Sequence, residues 1–153
     1  MLIRWLFAAL HLVGLGVALG SVWARARALG GPLDQAGLRR VFYADNWWGL
    51  SAVILVGTGL VRVIAGLEKG MDFYLQSHVF WSKMALLLGI FALELAPMTS
   101  LVRWRIQLSR GETPDTRRAG RFARISYLQA GLLLLMVLAA TAMARGFGVV
   151  PPG

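Results

Sequence analysis

Two stretches of this chain, Trp5–Ala24 and Ile125–Ala144, contain no acidic residue, lysine or arginine. Each has about the 20 residues that a helix needs to cross a hydrocarbon core of ~30 Å. Two further apolar runs are interrupted by ionisable residues: Asn46–Leu67 carries Arg62, and Phe73–Met98 carries Lys83 and Glu94. Only a helix satisfies its own backbone in lipid without closing a barrel, so all four read as helices. The expectation is an all-α integral membrane protein, an up-down bundle of four transmembrane helices. Its 153 residues form one membrane domain with spans at about 3–24, 46–67, 73–98 and 124–145. A composition of 58% hydrophobic and 15% charged residues agrees, and the lack of cysteine excludes disulfides, iron–sulfur clusters and thioether-attached haem.

Local signals mark the helix ends. Asp45 and Asp72 read as caps before Asn46 and Phe73, and Thr113-Pro114-Asp115 reads as the opening of the last helix with proline at its first position. Pro97 is expected to end or kink the third span. Gly30-Gly31-Pro32 reads as a turn, after which Asp34 caps a short amphipathic stretch, with Leu38, Val41 and Phe42 opposite Arg39 and Arg40.

The net charge of +9 is not the footprint of a nucleic-acid binder. Eleven basic residues (Arg25, Arg27, Arg39 and Arg40 after the first span, and the seven arginines from Arg103 to Arg124) fall on one side of the membrane. Three, Arg4, Lys69 and Arg145, fall on the other. By the positive-inside rule both termini face outward. The first apolar run is longer than the core of a signal peptide and is read as a retained span.

Ionisable groups within spans are functional candidates, because burying them in lipid is costly. At 1.5 Å per residue, His78 and Arg62 lie ~8 Å below the outer boundary, His11 about 12 Å and Lys83 ~15 Å. Helical phase puts His11, Gly14, Ala18 and Ser21 on one face of span one, and Arg62, Thr58, Leu55, Ser51 and Trp48 on one face of span two. On span three, His78, Ser82, Ala85, Gly89, Ala92 and Ala96 form a stripe of small residues. Lys83 aligns instead with Gln76, Ile90 and Glu94, about 140° away. With spans one and three on a diagonal, His11 and His78 are candidate ligands to the two faces of a haem b iron, with Arg62 meeting the propionates. Lys83 is the candidate catalytic charge or proton-transfer group. Glu94, near the inner interface, is expected to pair with Arg103 or Arg105, and Trp81 sits deep enough to line a site.

Several motifs carry a resemblance. Tyr43-Ala44-Asp45-Asn46-Trp47-Trp48-Gly49, Gly57-Thr58-Gly59-Leu60, Gly66-Leu67-Glu68-Lys69-Gly70, His78-Val79-Phe80-Trp81-Ser82-Lys83 and Glu94-Leu95-Ala96-Pro97-Met98 resemble a bacterial membrane-protein family known only as domain of unknown function 2214. Ala9-Leu10-His11 and Trp81-Ser82-Lys83 are distantly similar to the HemJ-type protoporphyrinogen oxidases, whose superfamily includes CopD-like copper-resistance proteins. That resemblance implies haem b ligation at His11 and a functional lysine at Lys83. The chain departs from the pattern at Trp81, where those oxidases have a histidine, and at Trp23-Ala24-Arg25, where they have Tyr-Pro-Arg.

These readings give a haem b protein of the bacterial inner membrane. It would transfer electrons or oxidise a hydrophobic substrate in the outer half of the bilayer, with a redox partner or a second copy beside it. Two alternatives stand: a cofactor-free accessory subunit of a larger membrane complex, and a copper transport or resistance protein using histidine and methionine ligands.

Overall fold

A computed structural model describes residues 1–65 and 75–145, apart from the side chain of Met143. Among them lie four long helices: α1 (Leu2–Leu29), α2 (Gln35–Ile64), α3 (His78–Ser109) and α4 (Ala119–Ala144). Each is long and apolar enough to span a membrane. The protein is an all-α four-span bundle. Helix α1 packs closely against α2 and α4, and α3 against α4, while the α2 and α3 backbones stand farther apart and meet through side chains.

The helix ends follow local chemistry, though not always where the sequence pattern placed them. The Asp34 carboxylate accepts the Gly37 N–H at 2.7 Å and starts α2, which runs unbroken past Asp45. The amphipathic stretch and the second span are therefore one helix, and Asp45 is not a cap. A β-carbon at Gly37 would overlap the Pro32 carbonyl oxygen, so the tight α1–α2 turn needs glycine there. The Asp72 cap lies outside the described residues, and Ser77, whose hydroxyl accepts the Phe80 N–H, caps α3 instead.

Helix α3 passes through Pro97 without ending. Proline removes a single main-chain bond there, and Pro97 is buried in the bundle, which holds the helix across the gap. It stops at Gly111, whose φ of 74° is in the left-handed region. The Gly111 and Glu112 amides then bond back to the Leu108 and Gln107 carbonyls, the double closure that glycine permits after a helix. Pro114 does not open α4. The Asp115 carboxylate instead accepts the Arg117 amide and guanidinium in a turn, and the helix begins at Ala119.

Apolar packing is densest toward the basic end. Leu29, Leu38, Val41, Leu101, Trp104 and Phe122 form one cluster, and Ala18, Val22, Trp48, Ile90, Ala130 and Leu133 form the next toward the middle. The expected inward faces of α1 and α2 are found: Gly14, Ala18 and Ser21 are buried, as are Trp48, Ser51 and Thr58. Helix α3 is rotated from the expected setting. His78, Ser82, Ala85, Ala92 and Ala96 are exposed, whereas Ile90, Pro97, Leu101 and Trp104 are buried. The large side chains remove more surface by facing their neighbours than the small stripe would.

Candidate functional site

Two polar constellations interrupt the apolar interior, one toward each end of the bundle. The larger is centred on Arg25, which is fully buried although it lies one turn from the end of α1. All five of its N–H groups are used. Nε donates to Ser126 Oγ at 3.1 Å; Nη1 donates to Asp45 at 2.8 Å and Glu94 at 2.7 Å; Nη2 donates to Glu94 at 2.7 Å and Gln129 at 2.9 Å. Glu94 thus takes the guanidinium in a two-pronged grip, the strongest geometry such a pair adopts. The Gln129 amide donates to Glu94 at 2.8 Å and to the Ile90 carbonyl at 3.1 Å, while Arg105 donates to the second oxygen of Asp45 at 3.0 Å. Arg105 also stacks over Phe42, 4.7 Å from its ring centroid, and the Arg25 guanidinium lies 5.7 Å from that of Trp48.

One network therefore joins all four helices: Arg25 from α1, Asp45 from α2, Glu94 and Arg105 from α3, Ser126 and Gln129 from α4. Two carboxylates balance two guanidiniums. The pairing expected for Glu94 is corrected: its partner is Arg25, because the Ile90–Glu94–Pro97 face of α3 turns inward at the depth of Arg25. Arg103 is exposed, and Arg105, three turns farther along, reaches Asp45 instead.

The second constellation lies about 21 Å farther along α1. His11 Nδ1 is 2.8 Å from Thr58 Oγ1 in the α1–α2 seam. That hydroxyl donates its only proton to the Ile54 carbonyl at 2.6 Å. It therefore accepts from His11, whose Nδ1–H faces the hydroxyl. Gly14 lets the helices approach: a β-carbon there would come within 3.0 Å of Ile54. Gly59 lies under the ring, where a β-carbon would stand 3.5 Å from its Cε1.

Arg62 is half-buried one turn beyond Thr58 on the same helix. Lys83 is half-buried on the α3 face that carries Ile90 and Glu94. His78, in contrast, is exposed at the start of α3, on the side away from that face. The structure thus brings His11 to Thr58 and turns Lys83 inward, and it gives His78 no place in the packed seam. Trp81 is exposed, and its indole N–H donates to the Leu75 carbonyl at 3.0 Å.

The sequence matches the family described as Predicted membrane protein (DUF2214) over residues 3–148. The chain belongs to this family. The DUF2214 description names a location and no activity. No curated protein and no solved structure matches the chain, so the likeness to HemJ-type oxidases and CopD-like proteins gains no support from these comparisons.

Sequence pattern alone does not reveal the Arg25 network, because Arg25 reads as a loop charge and Asp45 as a cap. The signal for Arg25 itself is present. Arg25 lies seven residues after Ala18 and four after Ser21, so it continues the His11–Gly14–Ala18–Ser21 face by one more turn.

Proposed function

We propose that this four-span membrane protein binds haem b through His11. The chain would sit with both termini on the outer side of a bacterial inner membrane, and would transfer electrons or oxidise a hydrophobic substrate reached from lipid. The observation that carries the reading is the Thr58–His11 bond. Fixing Nδ1–H with a second residue is how proteins aim an imidazole's other nitrogen at a metal, and it also raises that nitrogen's basicity. Arg62, one turn away on the same helix, supplies a guanidinium for the propionates, and Lys83 supplies an inward charge. The arrangement supports one imidazole rather than two, since His78 lies on the exposed side of α3. When bound, haem supplies one-electron chemistry; the chain's own part is to hold the ring nitrogen, exclude water and position charge.

The test is the absorption spectrum of the purified protein. A Soret band that shifts on dithionite reduction is expected. It should be lost in His11→Ala and weakened in Thr58→Val, with His78→Ala unchanged. A colourless preparation overturns the proposal. In that case copper found by elemental analysis favours the transport reading, and co-purification with larger membrane subunits favours the accessory role.

A further inference from the structure

The outer face of the α1–α2 pair carries a groove of about 1150 Å³ near the basic end. Its floor is a stripe of mostly small residues on α1, Val17, Ser21, Ala24 and Ala28, and its wall on α2 includes Tyr43 and Trp47. These two rings meet edge-to-face with centroids 6.3 Å apart, which stiffens the wall. From Val17 to Ala28 the trough runs about 16 Å, close to half of the ~30 Å hydrocarbon core. It is one leaflet deep.

Arg27, Arg39 and Arg40 stand at its mouth. All three are exposed, and none makes an ion pair among the described residues, unlike Arg25, Arg105 and Arg117. No acidic side chain lines the groove among those residues. We propose that this groove is a binding site for one acidic phospholipid, its acyl chain lying in the trough and its headgroup phosphate held by Arg27, Arg39 and Arg40. A zwitterionic lipid fills the same trough but brings its own cation to the mouth, so the three guanidiniums select for net negative charge. The proposal is independent of the haem reading, because the groove opens on the basic half of the α1–α2 pair and His11 lies near the other end.

The full-length protein is reconstituted in phosphatidylcholine vesicles containing bromine-labelled chains, carried either by phosphatidylglycerol or by phosphatidylcholine. The Trp47 contribution to fluorescence is taken as the difference from Trp47→Phe. Brominated phosphatidylglycerol is expected to quench it at far lower mole fraction than brominated phosphatidylcholine. Each arginine neutralised weakens that preference about fivefold, so R27Q/R39Q/R40Q loses on the order of 100-fold. Ala24→Leu keeps every charge but fills the trough, and is expected to remove the quenching with helical circular dichroism unchanged. Equal quenching by the two lipids in the unmodified protein overturns the proposal. So does a preference that survives in the triple variant, quenching that survives Ala24→Leu, or displacement of the lipid by inorganic phosphate.

Discussion

Replacing Arg25 by methionine tests the buried network at its centre. The change removes five hydrogen bonds and one of two balancing cations from a position with no solvent exposure. Glu94 keeps only the Gln129 amide and Asp45 keeps only Arg105. Removing one partner of a buried ion pair costs about 3–5 kcal/mol. The two carboxylates retain 14% and 19% exposure, so water partly rehydrates them and the lower end applies, about 3 kcal/mol. Arg25→Lys retains the charge but not the planar fork; losing two of the five bonds predicts about 2 kcal/mol. The double variant R25M/E94Q neutralises the stranded carboxylate, and its cost should fall short of the sum of the singles by about 2 kcal/mol. Stability is measured by reversible unfolding in dodecylmaltoside–SDS mixtures, followed by circular dichroism and by fluorescence of buried Trp48. A loss below about 1 kcal/mol for Arg25→Met, or additive costs in the double variant, would refute the claim that these charges act as a unit.

Three other outcomes follow from particular contacts. Gly37→Ala puts a methyl group into the Pro32 carbonyl and should destabilise the α1–α2 hairpin by about 3 kcal/mol or abolish insertion, whereas Gly49→Ala, which meets open space, should not; yield and unfolding midpoint distinguish them. Gly14→Leu forces α1 from Ile54 and should cost about 1–3 kcal/mol while releasing His11 from Thr58, read from the His11 ring-nitrogen shifts by NMR. The Arg117 guanidinium and amide hold the Asp115 carboxyl at about 2, below its ordinary 3.8. Being depressed on folding, it favours the turn above the ordinary value, and the effect disappears as pH falls through about 2. In Arg117→Ala the midpoint, followed by carboxyl carbon NMR, should return toward 3.8.

Much of the scaffold was legible because lipid leaves few choices. Uncharged runs of bilayer length must be helices, and 3.6-residue periodicity puts Gly14, Ala18 and Ser21 on one face of α1 and Trp48, Ser51 and Thr58 on one face of α2, both of which are buried. Helix α3 was misread because an alanine-rich stripe fits a helix contact and a lipid contact equally well. Only the competing bulk of Ile90, Leu101 and Trp104 decides between them, and that comparison needs a neighbouring surface. The Arg25 network was hidden for a different reason. A charge near a helix end is ordinarily solvated, and nothing in sequence shows that residues 69 and 101–104 positions away meet it at the same depth.

The balance of charge distinguishes the two constellations. A site that carries a polar cargo must leave some donor or acceptor for the cargo to meet. At Arg25 every N–H is met within the chain, and its two carboxylates are matched by two guanidiniums. Arg105 adds a polar tie from α3 to Asp45 and the Phe42 carbonyl of α2, where the two backbones stand farther apart. The network is therefore a clasp that closes the ring of helices. Thr58 has its proton committed to a carbonyl and accepts from His11, so the histidine is fixed in the α1–α2 seam. Arg62 and Lys83 stand within about 10 Å of that level along the helix axes. The Arg25 network ties the four helices together at the basic end, and the His11–Thr58 bond joins α1 to α2 toward the other.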